Sequence, residues 1–309
     1  MRASVNGSAQ PFTTILFASD LSAASQVTFH VALCVCAAFR ASLSILHVFE
    51  YPKASASEPR GRIPESGSHK EGALESLERF REEANQAGVR CETIIASGIA
   101  SLAILKVLSQ NKNDLVVLGT SAPHGFERLV FGSTAEAVLR EATCPVLTVG
   151  PHTTNPAMAN WTEAPVVFAT NFHRTTTHAI RYAATFCKTT RSPLHCLHVL
   201  PQALESGSPS QIVPQIMKEA LCHIAAENNV ETTSDIYTIA YGSDVSKAIT
   251  EYARQHRARL IVLGIEQSSI LASHISTDIA YRIITESLCP VLTIAFASES
   301  PPILAAACL

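Results

Sequence analysis

The sequence predicts an α/β fold built twice, as two doubly wound domains in one chain. Each is an open five-stranded parallel sheet with helices on both faces. Three observations predict it. Short apolar runs of strand length alternate with stretches long enough for crossover helices. Blocks from the first half recur in the second half in the same order. The distances between matched residues are kept as well: Asp20 to His47 equals Asn171 to His198, and Gly119 to Cys144 equals Gly264 to Cys289.

Taken in order, the strands of the first half fall near residues 13–19, 43–49, 90–96, 115–119 and 146–149. Those of the second fall near 166–170, 194–200, 233–239, 260–264 and 291–295. The runs are continuous and rich in β-branched residues, as strands covered on both faces should be. Residues 100–110 and 245–256 carry apolar side chains at three- and four-residue spacing, the signature of amphipathic helices. A further helix is expected over residues 133–142. Residues 153–163, rich in Thr, Asn, Pro and Ala, read as the linker between domains at 11–151 and 164–297. Residues 51–69 read as a long loop, with 201–209 as its shorter counterpart.

Composition narrows the function. The chain has 309 residues, 47% of them hydrophobic, and a formal net charge of −3, which speaks for neither nucleic acid nor an anionic membrane as partner. No run reaches the ~18 apolar residues of a spanning helix, and residues 1–10 are polar, so the expected location is cytoplasmic. The nine cysteines form no CxxC pair and sit mostly in apolar segments, as buried reduced thiols do. Cys34 and Cys36 should point to different faces of a helix, and His195 and His198 to opposite faces of a strand, so neither pair is set up to share a metal.

Open parallel sheets bind ligands beyond the carboxyl ends of their strands, where the strand order reverses. Asp20 closes the first strand there. Its carboxylate could accept hydrogen bonds from ribose hydroxyls or cap a helix starting near Leu21. The end of the second strand, residues 47–49, could meet an adenine edge. After the fourth strand, Gly119 leaves room for close backbone approach, and Gly132-Ser133-Thr134 opens a helix whose free N–H groups favour phosphate. Arg128 could add charge to a polyphosphate. Alone, the Gly-Ser pair reads as a surface loop with a serine cap. Joined to Asp20 and the sheet topology, it reads as a phosphate cradle.

At these residues the whole chain resembles a tandem universal stress protein. The segments ILFASDLS ending in Asp20, NDLVVLG, and GSTAEAVLREATCPVLTV over residues 132–149 look like hallmarks of that family. The resemblance implies an adenine nucleotide alpha hydrolase-like fold and a site for ATP, with or without Mg2+. Asp20 would lie at the adenosine end, Val48 near the base, and Gly119, Thr120, Gly132, Ser133 and Thr134 around the phosphates, with Arg128 beside them. The family pattern has a further glycine where this chain has Ala122, whose Cβ crowds the place a phosphate would approach. Slow ATP hydrolysis, or autophosphorylation on Ser133 or Thr134, is the most chemistry the resemblance suggests; no nucleophile elbow, Walker loop or HExxH motif is present.

The second half departs further. Asn171 stands in place of Asp20, and Gln267, Thr277 and Asp278 replace the later glycines and the serine. Asp278, read as a helix start, would repel phosphate, so no nucleotide is expected there. Family members pair through their last strand, which implies that residues 146–149 and 291–295 pair within this chain as an internal pseudo-dimer; a homodimer could form beyond that. The reading is therefore a stress-response regulator binding adenine nucleotide in its first domain and contacting a still unidentified protein partner. The alternative is a nucleotide-free scaffold.

Overall fold

A computed structural model describes residues 12–50, 67–120, 132–153, 164–173, 176–206, 212–230, 236–266 and 274–296. Arg128, Ala122, Gln267, Cys308 and the C-terminal residues 301–309 lie outside them.

The first half runs β1 (Thr14–Ser19), α1 (Ser25–Phe39), β2 (Ser42–Phe49), α2 (Gly67–Gln86), β3 (Cys91–Ser97), α3 (Ala100–Asn111), β4 (Leu115–Gly119), α4 (Ser133–Glu141) and β5 (Val146–Val149). The second half runs β6 (Val166–Ala169), a single 3-10 turn (Thr176–Ala179), α5 (Ile180–Thr190), β7 (Leu194–Leu200), α6 (Ala203–Ser206), α7 (Ile212–Glu227), β8 (Ile236–Tyr241), α8 (Val245–Gln255), β9 (Leu260–Glu266), α9 (His274–Glu286) and β10 (Val291–Phe296). Two boundaries differ from expectation. The loop after β2 ends earlier, because Gly67–His69 already belong to α2, and the shorter loop contains α6. β8 is described from Ile236, and the expected start near residue 233 lies outside the described residues.

All ten strands join one sheet, in the order β3-β2-β1-β4-β5-β10-β9-β6-β7-β8. Within each half the pairs are parallel, for example Phe17 beside Ile45 and Val117, and Phe168 beside Cys196 and Val262. Among the described residues the antiparallel seam is β5 with β10, where Val291 pairs with Thr148 and Leu292 with Leu147. The last strands therefore pair within the chain, each covering an edge that would otherwise expose unpaired backbone groups.

Alternation along each strand feeds two cores, one per sheet face. Ile15, Phe17, Leu43, Ile45, Val117 and Leu147 point to the face covered by α1, α2, α5 and α7. Leu16, Leu46, Val116, Leu118 and Val146 point to the face covered by α3, α4, α8 and α9. Both cores run unbroken across the seam. On the first face, Phe12 packs its ring 5.1 Å from Phe39 and 5.6 Å from Phe186, tying α1 of one half to α5 of the other. Helix α1 is covered so widely that Cys34 and Cys36 are both buried in this core, and their helical spacing does not expose either thiol. Burial pushes the Cys34 thiol up to about 11. Across the seam, an added Cβ on Gly150 would come within 2.1 Å of the Ile284 carbonyl oxygen, so only glycine fits there.

Candidate functional site

The chain leaves β1 toward β2 and β3, then returns on the other side of β1 to β4. That reversal opens a crevice beyond the strand ends. A cavity of about 610 Å³ fills it, lined by Ala18, Asp20, Val48, Gly119, Thr120, Gly132, Ser133 and Thr134 among others. The structure thus gathers every predicted site residue except Arg128, which lies outside the described residues.

Asp20 does not cap a helix near Leu21; α1 begins only at Ser25. Its Oδ1 instead closes a turn, accepting from the Ser22 N–H at 3.0 Å and from the Ser25 hydroxyl at 2.5 Å. The Ser19 hydroxyl accepts from the Leu21 N–H at 3.0 Å, and Leu21 takes φ 59°, an uncommon conformation for a leucine. The second half repeats the two backbone bonds of this corner and its left-handed residue. Thr170 Oγ1 accepts from Phe172 N–H, Asn171 Oδ1 accepts from His173 N–H, both at 3.0 Å, and Phe172 has φ 64°. Asp and Asn accept the same backbone bond of the turn; Asp20 differs in its charge and in the added Ser25 hydroxyl bond.

The floor of the cavity is set by helix contacts. Gly119 is small because an added Cβ would lie 2.9 Å from the Thr28 hydroxyl on α1, a packing reason that the sequence did not reveal. Thr120 is buried with its hydroxyl bonded to the Val149 carbonyl at 3.3 Å. The His47 ring, beside Val48, lies with Nδ1 3.0 Å from the Ser19 carbonyl; His198 repeats this to the Thr170 carbonyl at 2.8 Å. Because the histidine bond recurs in both halves, it belongs to the scaffold.

Gly132 is the N-cap of α4 with φ −65° and ψ 135°, and it brings no capping side chain. The N–H groups of Ser133, Thr134 and Ala135 therefore have no intrahelical acceptor, and the helix dipole adds partial positive charge where they emerge. Two lining residues were missed by the sequence reading. Glu50 accepts from the Ala100 N–H at 3.3 Å and so occupies the start of α3. The Thr153 hydroxyl is buried beside the cavity and has no hydrogen-bond partner among the described residues. Only its place after a glycine turn, Thr153 N–H to Gly150 carbonyl at 3.1 Å, could have hinted at this.

The corresponding crevice of the second half holds a smaller cavity, about 280 Å³. Asp278 does not start its helix there; α9 begins at His274, a full turn earlier. The N–H groups equivalent to those of Ser133 and Thr134 are thus inside a helix and already bonded. The matching backbone position of the second half therefore presents no free N–H groups. Among the described residues no cluster of three or more metal-binding side chains occurs, and no helix is long and apolar enough to cross a membrane.

The profile of the Universal stress protein family matches residues 11–150 and again residues 164–295. The chain belongs to the universal stress protein family. A universal stress protein of Methanocaldococcus jannaschii is 38% identical over 80 residues, a stretch covering 26% of this chain and 47% of that protein. The chain thus spans about half the length of that relative. One from Bacillus subtilis is 32% identical over 146 residues, covering 45% of this chain and 99% of the relative. Among solved structures, a universal stress protein of Archaeoglobus fulgidus superposes with a TM-score of 0.67 at 20% identity, covering 93% of this chain and 97% of that one. A Pseudomonas aeruginosa protein described as functionally unknown gives 0.61 at 18%, covering 92% of each. At these identities the likeness is one of fold, and it extends over both halves.

Proposed function

We propose that this universal stress protein binds ATP in the crevice of its first half and acts as a nucleotide-dependent regulator in a stress response. One observation carries the reading: a carboxylate, an apolar wall and an uncapped helix N-terminus converge on one cavity of about 610 Å³, within the usual size of a small-molecule site. Adenine would lie against Val48 and its apolar neighbours, with the ribose at Asp20. The phosphates would meet the N–H groups of Gly132-Ser133-Thr134 and the Thr153 hydroxyl. Any Mg2+ would ride on the phosphates, since the described residues supply no ligand set of their own. No general base is placed for hydrolysis, so binding rather than turnover is the activity proposed.

Ala122 favours a second reading, a nucleotide-free scaffold, because a glycine stands in its place in the family pattern. Titration calorimetry with ATP separates the two. Micromolar or weaker binding supports the first reading, and so does its loss in Gly132→Val. Position 132 has φ −65°, open to any residue, so valine there tests space at the cradle and not the fold. Heat-free titrations at millimolar ATP would establish the scaffold.

A further inference from the structure

The second half has not simply lost a site. Counting from Gly119 and Gly264, Val245 stands where the first half has Ala100, Ile265 where it has Thr120, and Ile279 where it has Thr134. All three line the 280 Å³ cavity, and each replaces a small or polar group by a larger apolar one. Here the apolar wall is completed by Leu197, Ile249 and Leu263, and an open cavity persists. Among the described residues that line it there is no lysine, arginine, aspartate or glutamate. Polar groups gather only at the strand ends, on Thr170, Asn171, His173 and His198.

We propose that this cavity is a second binding site, for an uncharged, mostly apolar small molecule carrying one hydrogen-bonding group. Size sets the class. An engineered apolar cavity of about 150 Å³ holds benzene, so one of about 280 Å³ suits a molecule the size of a bicyclic aromatic. Charge sets the exclusion. A phosphate or carboxylate would be desolvated among isoleucines and valines, with no cation among the described lining residues to meet it. Adenine nucleotides are therefore rejected here for the same reason that a neutral aromatic is accepted. Burial also holds the His198 imidazole below its ordinary value of 6.5, which favours its neutral form. The two halves would then read two chemically unlike signals through one continuous sheet.

The test uses the full chain and 2-naphthol, a fluorescent bicyclic aromatic with a single hydroxyl, uncharged at neutral pH. Saturable binding at one site per chain is expected, undiminished by excess ATP. Val245→Trp should weaken it at least tenfold by filling the mouth, where Val245 is 38% exposed and a larger side chain can be housed. Ile279→Thr, which restores the residue type of the first half, should weaken it several-fold and serves if the tryptophan variant melts early. The ATP titration should be unchanged in both. Absence of saturation up to the solubility of the probe, displacement of the probe by ATP, or full-strength binding in a folded Val245→Trp would each overturn the proposal.

Discussion

Replacing Asp20 by Asn separates the turn from the charge, because the second half already carries that replacement. Oδ1 of either side chain can accept from the N–H two residues on: 3.0 Å from Ser22 to Asp20, and 3.0 Å from His173 to Asn171. The flanking hydroxyl bond and the left-handed residue are also the same at both corners. Asp20→Asn should therefore leave the melting temperature unchanged within about 2 °C, the shift that well under 1 kcal/mol produces in a chain of this size. Nucleotide binding should respond. A hydrogen bond to a charged acceptor contributes about 1.5–3 kcal/mol and a neutral one about 0.5–1.5, a difference of roughly 1–1.5 kcal/mol. That is about five- to twelvefold in Kd, and because Asp20 is exposed the lower end applies. Calorimetric titration with ATP at fixed ionic strength, paired with a thermal melt, reads both quantities. Asp20→Ala provides the contrast, losing the turn and the ligand contact together. Equal ATP affinity in Asp20→Asn and wild type would refute the ligand role and leave Asp20 a turn residue. A melting temperature that falls as far as in the alanine variant would refute the equivalence of the two corners.

Three further outcomes follow from the packing and the titratable groups. Thr153→Val keeps the shape but removes a buried hydroxyl that lacks a partner among the described residues, so it should weaken ATP by about two- to tenfold while leaving stability equal or slightly raised, by calorimetry and melting. Gly150→Ala places a Cβ against the Ile284 carbonyl and should cost about 1–3 kcal/mol, read as a drop in melting temperature with faster hydrogen exchange at the β5–β10 seam. His195 is buried with Nδ1 3.1 Å from the Tyr252 hydroxyl, and burial together with His256 lowers its pKa from 6.5. The unfolded chain then takes the proton more readily, so stability is intact above about pH 6.5 and declines as pH falls below it; melts across that range should show this slope, and His195→Asn should reduce it, the remainder coming from the likewise lowered His198.

Much of the fold was legible because each buried parallel strand is a short apolar run and the duplication supplies an internal check. The strand pairing at the seam followed from resemblance, and its register, Leu292 on Leu147, did not. Ends of elements were less legible. α9 begins at His274, whereas in the first half α4 begins at Ser133 after the extended N-cap Gly132, which exposes the cradle. Contacts between residues far apart in sequence left no periodic trace. Phe12 reads as a stray aromatic before β1, yet it joins Phe39, Tyr182 and Phe186 across the halves. Gly119 invited a ligand explanation, and Thr28 on α1 supplies a packing one that operates with or without a ligand. At Asp20 the sequence allowed a ribose contact or a helix cap. The structure replaces the cap by a turn that both halves share, which moves the functional question onto the charge.

The most direct test of the whole account is the stoichiometry of ATP on the wild-type chain. Equilibrium titration should give one nucleotide per chain, with the site placed in the first half by its loss in Gly132→Val and its persistence in Asn171→Ala. Two nucleotides per chain, or one that survives Gly132→Val and is lost with Asn171→Ala, would contradict it.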